Sequence, residues 1–194
     1  TLSSSSAASD VYKRQASDVD NQSFGIKIHN IVVDGADVSA TTGYVGGLIC
    51  YSDQNNQGTL LKNVIVSNSV IDASAASSGI GGLFGMFTST SGTAPTDQGR
   101  VESLKSIDNV ITAVNVATAT GGIFGEFSAE HLETRKMISN STVSGSTNVG
   151  GIVGLHYDGR IAEAVSKGDV SGSINVGGFV GNMNLAATFI CLLY

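Results

Sequence analysis

The sequence NVGGIVG at residues 148–154 returns almost unchanged as NVGGFVG at residues 175–181. Looser forms of the phrase are YVGGLIC from residue 44, GIGGLFG from residue 79 and ATGGIFG from residue 119. A phosphate-binding loop has to be present only once, whereas a structural repeat has to be present in every unit. The five copies therefore indicate a repeat architecture.

The glycine pairs set the register of this repeat. Their first glycines lie 35, 40, 29 and 27 residues apart, a spacing typical of solenoids with insertions in their loops. Two large apolar residues follow every pair, so each unit is expected to bend tightly into a short buried strand. The paired glycines are Gly46, Gly47, Gly81, Gly82, Gly121, Gly122, Gly150, Gly151, Gly177 and Gly178.

A second element precedes each glycine pair. Runs such as LKNVIVSNSVID, from residue 61, alternate apolar and polar residues with the period of two that strands show. In four runs an asparagine stands two residues after an aliphatic residue, and Glu163 holds the place in the fifth. Stacked coils could join these asparagines in an amide ladder, whereas turn chemistry is the alternative reason for their presence. The four asparagines are Asn30, Asn63, Asn109 and Asn140.

The phrase VGGIVG, followed by GRIAEAVSKGDVSGSINVGGFVG at residues 159–181, resembles the GLUG repeat. The resemblance covers residues 28–182, and its two C-terminal units are the most specific. Glu163 in place of the usual asparagine, Cys50 in place of a glycine and the long insertions of the second and third units depart from the pattern. The resemblance implies repeats from large bacterial surface proteins, including adhesin-like proteins and the N-terminal parts of IgA-cleaving metallopeptidases. It also implies an extracellular or cell-surface location.

We therefore predict an all-β fold, a right-handed parallel β-helix of about five GLUG-like coils. Residues 16–190 are expected to form a single domain. The opening TLSSSSAASDVYKRQ, residues 1–15, and the closing CLLY, residues 191–194, resemble translated sequencing-adapter tails and are excluded from the fold. The remaining sequence is then a fragment whose uncapped ends are expected to make it self-associate.

Composition excludes several classes of partner. The chain has 194 residues, 25 glycines, one proline and a net charge of −6, which gives no electrostatic reason to bind nucleic acid or anionic lipid. The apolar residues 185–194 are too few to span a bilayer, so no membrane insertion is predicted within this sequence. Cys50, at a repeat position that glycine holds elsewhere, is expected to be a small buried thiol.

The sequence contains no recognisable constellation for catalysis or for a cofactor. The glycine phrases match neither G-x-G-x-x-G nor a P-loop. His29, His131 and His156 lack zinc-ligand spacing, and His29 and His156 are expected at the surface or at loop edges. No pairing stands out among the scattered acids, so we predict neither enzyme activity nor a bound metal. These acids are Asp53, Asp72, Asp108, Glu126, Asp158 and Asp169.

Two segments leave the repeat pattern, and each is either a binding loop or a tolerated insertion without a role, so the binding loops are not assigned. Residues 88–100 contain the proline and are expected to form a protruding loop, and residues 128–137 are expected to form a short helix or an extended excursion. The predicted function is a non-catalytic repeat segment of a secreted or surface-anchored bacterial protein. It would act as an adhesin-like surface for a host or matrix glycan or protein, or as a rigid stalk.

Two alternatives remain open. The repeats could be the N-terminal region of a large zinc metallopeptidase, in which case H-E-x-x-H lies elsewhere in the gene. A carbohydrate-active β-helix instead requires acids from adjacent coils to converge in one groove.

Overall fold

The computed structural model describes residues 27–54, 59–73, 78–89, 99–113 and 119–190, and all regular elements among them are β-strands. The strands are β1 (Lys27–Asp34), β2 (Asp37–Ser39), β3 (Val45–Gly46), β4 (Ile49–Gln54), β5 (Leu60–Ser67), β6 (Val70–Asp72), β7 (Ile80–Gly81), β8 (Phe84–Ser89), β9 (Arg100–Ala113), β10 (Thr120–Gly121), β11 (Phe124–Gly145), β12 (Thr147–Gly150), β13 (Val153–Ser166), β14 (Val170–Ser171), β15 (Ile174–Gly177) and β16 (Val180–Ile190). The two predicted tails, residues 1–15 and 191–194, lie outside the described residues.

Each strand pairs in parallel with its equivalent one coil away. The larger sheet follows the order β1-β5-β9-β11-β13-β16, and β2, β4, β6, β8 and β14 extend it sideways. The smaller sheet has the order β15-β12-β10-β7-β3. The long strand β11 pairs with β8 and then with β9, so the larger sheet curls around the molecule. The prediction of an all-β parallel β-helix is confirmed.

The described residues contain five coils and the start of a sixth. Coil one comprises β1 to β4, and coil two comprises β5 to β8. Coil three runs from β9 into the first part of β11, coil four runs from the rest of β11 into β13, and coil five runs from the rest of β13 into β16.

A column of aromatic rings fills the core between the two sheets. Phe84 stacks on Phe124 of the next coil with ring centroids 5.3 Å apart, and Phe87 stacks on Phe127 at 5.9 Å. All four rings are fully buried. Burial of each ring contributes about 1.5–3 kcal/mol, so this column adds to the cohesion of coils two and three beside the buried aliphatic side chains of the same core.

The first glycines of the five pairs form the smaller sheet, one above another in register. A side chain at Gly121 would overlap the carbonyl oxygen of Phe124, so the chain can turn sharply there only because the position is glycine. In the three middle pairs the second glycine packs against a serine, as Gly122 does against Ser139 and Gly151 does against Ser166. The glycines identified in the sequence therefore have a direct steric role.

The first corner of each coil is a residue in the left-handed region within the long strand. Its φ is 56° at Asn30 and 53° at Asn63, and the Nδ2 of Asn63 donates to the Oδ1 of Asn30 at 3.0 Å. The column continues through residues of other types, with φ between 52° and 60°. These are Ser103, Lys136 and Glu163.

Asn109 and Asn140 do not continue this ladder. Lys62 pairs with Glu102 and Val64 with Leu104, so Ser103, six residues before Asn109, lies beside Asn63. The predicted four-asparagine ladder therefore ends at its second member. The sequence match was wrong for these two units because their long strands begin earlier than the aliphatic-x-Asn spacing suggested. Glu163 does lie in the column, as the spacing predicted.

A second asparagine ladder lies at the entrance to the smaller sheet. Asn148 and Asn175, the first residues of the two quoted phrases, have φ of 49° and 54°. The Nδ2 of Asn175 donates to the Oδ1 of Asn148 at 2.8 Å. Asparagine tolerates the left-handed region better than most residues, which explains why the phrase begins with it.

Candidate functional site

Tyrosines and one carboxylate gather on the outer surface of the closing strands. Tyr51 of β4 pairs with Met86 of β8, which pairs with Glu126 of β11. Their neighbours Ser52, Phe87 and Phe127 are buried, and because side chains alternate along a strand, this row faces outward. The ring of Tyr44 lies 5.4 Å from that of Tyr51, with the ring planes inclined by 36°.

Glu126 is buried although its row faces outward. Only 6% of its surface is exposed, and its Cγ lies against Gly79, where a Cβ in place of the glycine hydrogen would come within 3.0 Å of it. The missing side chain at Gly79 thus leaves the space that the carboxylate arm occupies. Glu126 consequently lies near the corner between the two sheets.

Tyr44 and Tyr157 share the surroundings of this carboxylate. Burial raises the pKa of each phenol, and the negative charge of Glu126 raises both pKa values further. Tyr157 lies two residues after Leu155, the pairing partner of Glu126, at a register shift in β13, and its exposure beside the buried His156 places it on the outer surface. Tyr51 and Tyr157 remain 36% and 37% exposed. We call Tyr44, Tyr51, Glu126 and Tyr157 the tyrosine patch.

A polar groove of about 290 Å³ lies at the second corner of the middle coils. The Nδ2 of Asn140 in coil four donates to the Oδ1 of Asp108 in coil three at 3.0 Å, and both residues are exposed. We call this the corner groove. It is lined by Asp108, Asn109, Val110, Asn140, Ser141, Thr142, Lys167, Gly168 and Asp169.

Asn109 is the structural support of the corner groove. It is 1% exposed, and its Nδ2 donates to the carbonyl oxygen of Val66 at 2.8 Å and to the Oγ of Ser106 at 3.0 Å. Its Oδ1 accepts the backbone N–H of Ser69 at 2.8 Å. The side chain thus ties coil three to coil two.

The structure brings only some of the candidate acids together. Asp108 of coil three and Asp169 of coil five line the corner groove. Glu126 belongs to the tyrosine patch, and the Oδ1 of Asp158 accepts the backbone N–H of Gly159 at 2.6 Å. Asp53 lies on β4 and Asp72 on β6, and neither lines the corner groove.

His156 was expected near the surface, and this expectation was wrong. The residue is fully buried because it pairs with Phe127 and takes the position of a phenylalanine in the core column. The two rings are 5.3 Å apart, and the Nε2 of His156 lies 3.1 Å from the carbonyl oxygen of Asp158. Burial lowers the pKa of His156. His29 is exposed as predicted, and the side chain of His131 lies outside the described residues.

Cys50 was expected to be buried and is instead exposed. The glycine at this position in later coils packs against the backbone of the preceding coil, as Gly125 does against Gly85. Cys50 belongs to the first described coil, so the structure describes no coil against which its side chain could pack.

The structure describes one of the two segments that leave the repeat pattern fully and the other only in part. Residues 128–137 belong to β11, with a left-handed corner residue at Lys136, so the helical alternative was wrong. Residues 90–98 of the other segment lie outside the described residues.

The sequence analysis missed the tyrosine patch, although the sequence contains a signal for it. Tyr51 and Glu126 each directly follow the third glycine position of the repeat, which Cys50 and Gly125 occupy.

Within the described ranges, no three histidine, cysteine or acidic side chains lie close enough together to hold a metal ion. The same part of the chain includes no helix with the length and apolar character needed to cross a membrane.

The chain is similar in structure to a candidate immunoglobulin A1 protease from Bacteroides ovatus, with a TM-score of 0.62 and 20% sequence identity. The match covers 91% of this chain and 55% of that chain, so this chain spans about half of that structure. At this identity the likeness shows the fold alone. No protein-family model and no curated protein matches the sequence, so the resemblance to the GLUG repeat rests on its motif.

Proposed function

We propose that this chain is a non-catalytic repeat segment of a secreted or surface-anchored bacterial protein, and that its stacked coils present an adhesive face. The observation that carries the proposal is the tyrosine patch, which leaves two rings more than one third exposed on a continuous sheet surface. Aromatic side chains offer large, rigid contact areas at a low cost in conformational entropy and are enriched where proteins bind partners. Repeated presentation on a rigid scaffold would raise the overall affinity through multivalency.

Adhesion is tested with the full chain coupled to beads, because a weak binding face is best detected in many copies. The beads are applied to mucin-coated surfaces and to epithelial cell layers, with beads carrying an unrelated protein of similar net charge as the control. We expect retention that free chain inhibits. Equal retention of both bead types would contradict an adhesive face and leave a rigid stalk as the remaining role.

The non-catalytic part of the proposal has a separate test. If the chain were a carbohydrate-active enzyme, its active site would lie in the corner groove, because Asp108 and Asp169 both line it. We expect no new reducing ends from polysaccharides and no fragments from immunoglobulin A after incubation with the chain. Products that disappear in Asp108→Asn would overturn this part.

A second candidate role is the repeat region of a larger peptidase. The similarity to the Bacteroides ovatus structure supports it, because that protein is a candidate immunoglobulin A1 protease. Sequencing the source DNA through both ends of this sequence tests the idea. An H-E-x-x-H motif in the same reading frame would favour the peptidase role, whereas further repeats with a wall-sorting or outer-membrane signal would favour the surface adhesin.

A further inference from the structure

We propose that the tyrosine patch binds a neutral polysaccharide or glycan chain by stacking its pyranose rings on the tyrosines. This inference rests on the proposed function, because it names the ligand class of the adhesive face. The tyrosines and Glu126 supply the two kinds of contact that a sugar needs, an apolar platform and polar groups at its edge.

The platform is the pair of Tyr44 and Tyr51. Their centroid separation of 5.4 Å and inclination of 36° make a broad, slightly folded surface. The C–H face of a pyranose is apolar and flat on the scale of one ring, so it can cover such a surface while its hydroxyls stay at the rim. The phenol groups of the tyrosines can donate and accept hydrogen bonds at that rim.

Glu126 supplies the orienting polar group. Its carboxylate lies in partly desolvated surroundings, because only 6% of the residue is exposed. A carboxylate accepts hydrogen bonds from hydroxyl groups, and such charge-assisted bonds are stronger than those between neutral groups. A sugar hydroxyl is a suitable donor, because it brings no second negative charge.

Charge decides which sugars fit. The negative charge of Glu126 raises the pKa values of Tyr44 and Tyr157, so this carboxylate contributes negative charge to the patch. The whole chain carries −6. Uronates, sialylated glycans and sulfated glycans would therefore be repelled, and neutral sugars remain.

The extent of the patch favours a chain over a single sugar. Tyr51 lies in coil one and Tyr157 in coil four, three layers apart, which corresponds to roughly 14 Å at ~4.8 Å per layer. Met86 and Glu126 lie between them, in one row across the two intervening coils. Several linked pyranoses can lie along this row, with contacts at both ends.

The experiment is affinity electrophoresis of the full chain in native gels containing a soluble β-glucan, a xylan or a galactomannan. We expect at least one of these neutral polymers to retard the chain, whereas hyaluronan and polygalacturonate do not. Tyr51→Ala and Tyr157→Ala should each weaken the association constant by about tenfold, the effect typical of losing a central aromatic contact. Glu126→Gln should weaken it similarly.

Val70→Ala is the matched control, because Val70 is an exposed apolar residue on a different strand and should leave retardation unchanged. The two tyrosine variants truncate exposed rings, so they keep the test valid even if Glu126→Gln does not fold. Absence of retardation by all three neutral polymers, retardation by the anionic polymers alone, or unchanged binding in both tyrosine variants would overturn the inference. Calorimetric binding of tetramethylammonium without polysaccharide binding would identify the patch as a cation site instead.

Failure here is distinguishable from failure of the proposed function. If the bead-coupled chain adheres to cells while no neutral polymer retards it, the adhesive face stands and the glycan inference falls. Glycan binding lost in the tyrosine variants supports both.

Discussion

A single methyl group decides whether neighbouring coils can stack at the glycine pairs. A Cβ at Gly122 would overlap the carbonyl oxygen of Gly151 and the Oγ of Ser139, whereas a Cβ at Gly178 would meet nothing within 4 Å. Both residues are second glycines of a pair. Gly178 belongs to the last coil that the structure describes, so no further described coil lies against it, whereas Gly122 lies between two described coils.

Gly122→Ala is expected to lower the free energy of unfolding by about 1–3 kcal/mol, the usual cost of overpacking. Gly178→Ala, the matched control, should change it by less than about 0.5 kcal/mol. Urea unfolding followed by circular dichroism measures both. Equal effects of the two variants would show that the steric account of the second glycine is wrong.

The buried His156 should make stability depend on pH. Its pKa is lowered in the folded protein, so the unfolded chain binds more protons between that lowered value and the ordinary 6.5. Stability from this residue is therefore complete above pH 6.5 and is lost as the pH falls toward the folded-state pKa. We expect His156→Phe, which restores the residue type of its neighbour Phe127, to be stabilised relative to the wild type increasingly as the pH falls from 7.5 to 5.

Urea midpoints of the two proteins at four or five pH values provide the measurement. A stability difference that stays constant over this range would contradict the assignment of the pH dependence to His156.

At the scale of elements, the corners hold one coil to the next. The left-handed residues recur at the same place in each long strand, and asparagine, serine, lysine and glutamate all occur there. Side-chain bonds across the corners differ in burial: Asn109 is enclosed, whereas Asn140 is exposed. Their energetic contributions should differ accordingly, since an exposed bond exchanges with water.

Asn109→Ala is expected to lower the free energy of unfolding by on the order of 2–4 kcal/mol, because it leaves the N–H of Ser69 and the carbonyl of Val66 without this partner. Asn140→Ala removes an exposed bond to Asp108 and should cost less than about 1 kcal/mol. Denaturant unfolding compares them. A larger loss for Asn140→Ala would mean that the exposed bond in the corner groove, and not the buried bonds of Asn109, joins the coils.

At the scale of the whole molecule, the described strands form a stack whose larger sheet has β1 at one edge and β16 at the other. Among the described strands, β1 pairs with β5 on one side, and its Val32 is 64% exposed. Exposed strand edges pair readily with other chains. The described fold thus provides a physical route to association between copies.

We expect the isolated chain to form concentration-dependent oligomers in size-exclusion chromatography with light scattering. Val32→Lys should reduce them, because a charge on an edge strand opposes pairing with another edge. Val110→Lys, an exposed valine within β9, is the control and should have little effect. A monodisperse monomer of the unmodified chain at high concentration would refute this prediction.

The sequence by itself determined the fold class and the register of the glycine pairs. Each coil must repeat the same tight turn, and the strand period of two is visible in every run, so both features are local and can be read along the chain. The pairing of Gly46 with Gly81, and of each later pair with the next, follows directly from this local pattern.

Only the tertiary structure determined which residues of neighbouring coils contact each other. The corner column passes through Ser103 and Lys136, and His156 enters the aromatic core. Tyr44 contacts Tyr51, and the charge of Glu126 acts on both Tyr44 and Tyr157. Each of these contacts depends on the lengths of the insertions and on the register shifts in β11, which move a residue to another column or to the other face. Lateral contacts between coils join residues about 27 to 40 positions apart in sequence, and a pattern read along one coil does not contain them.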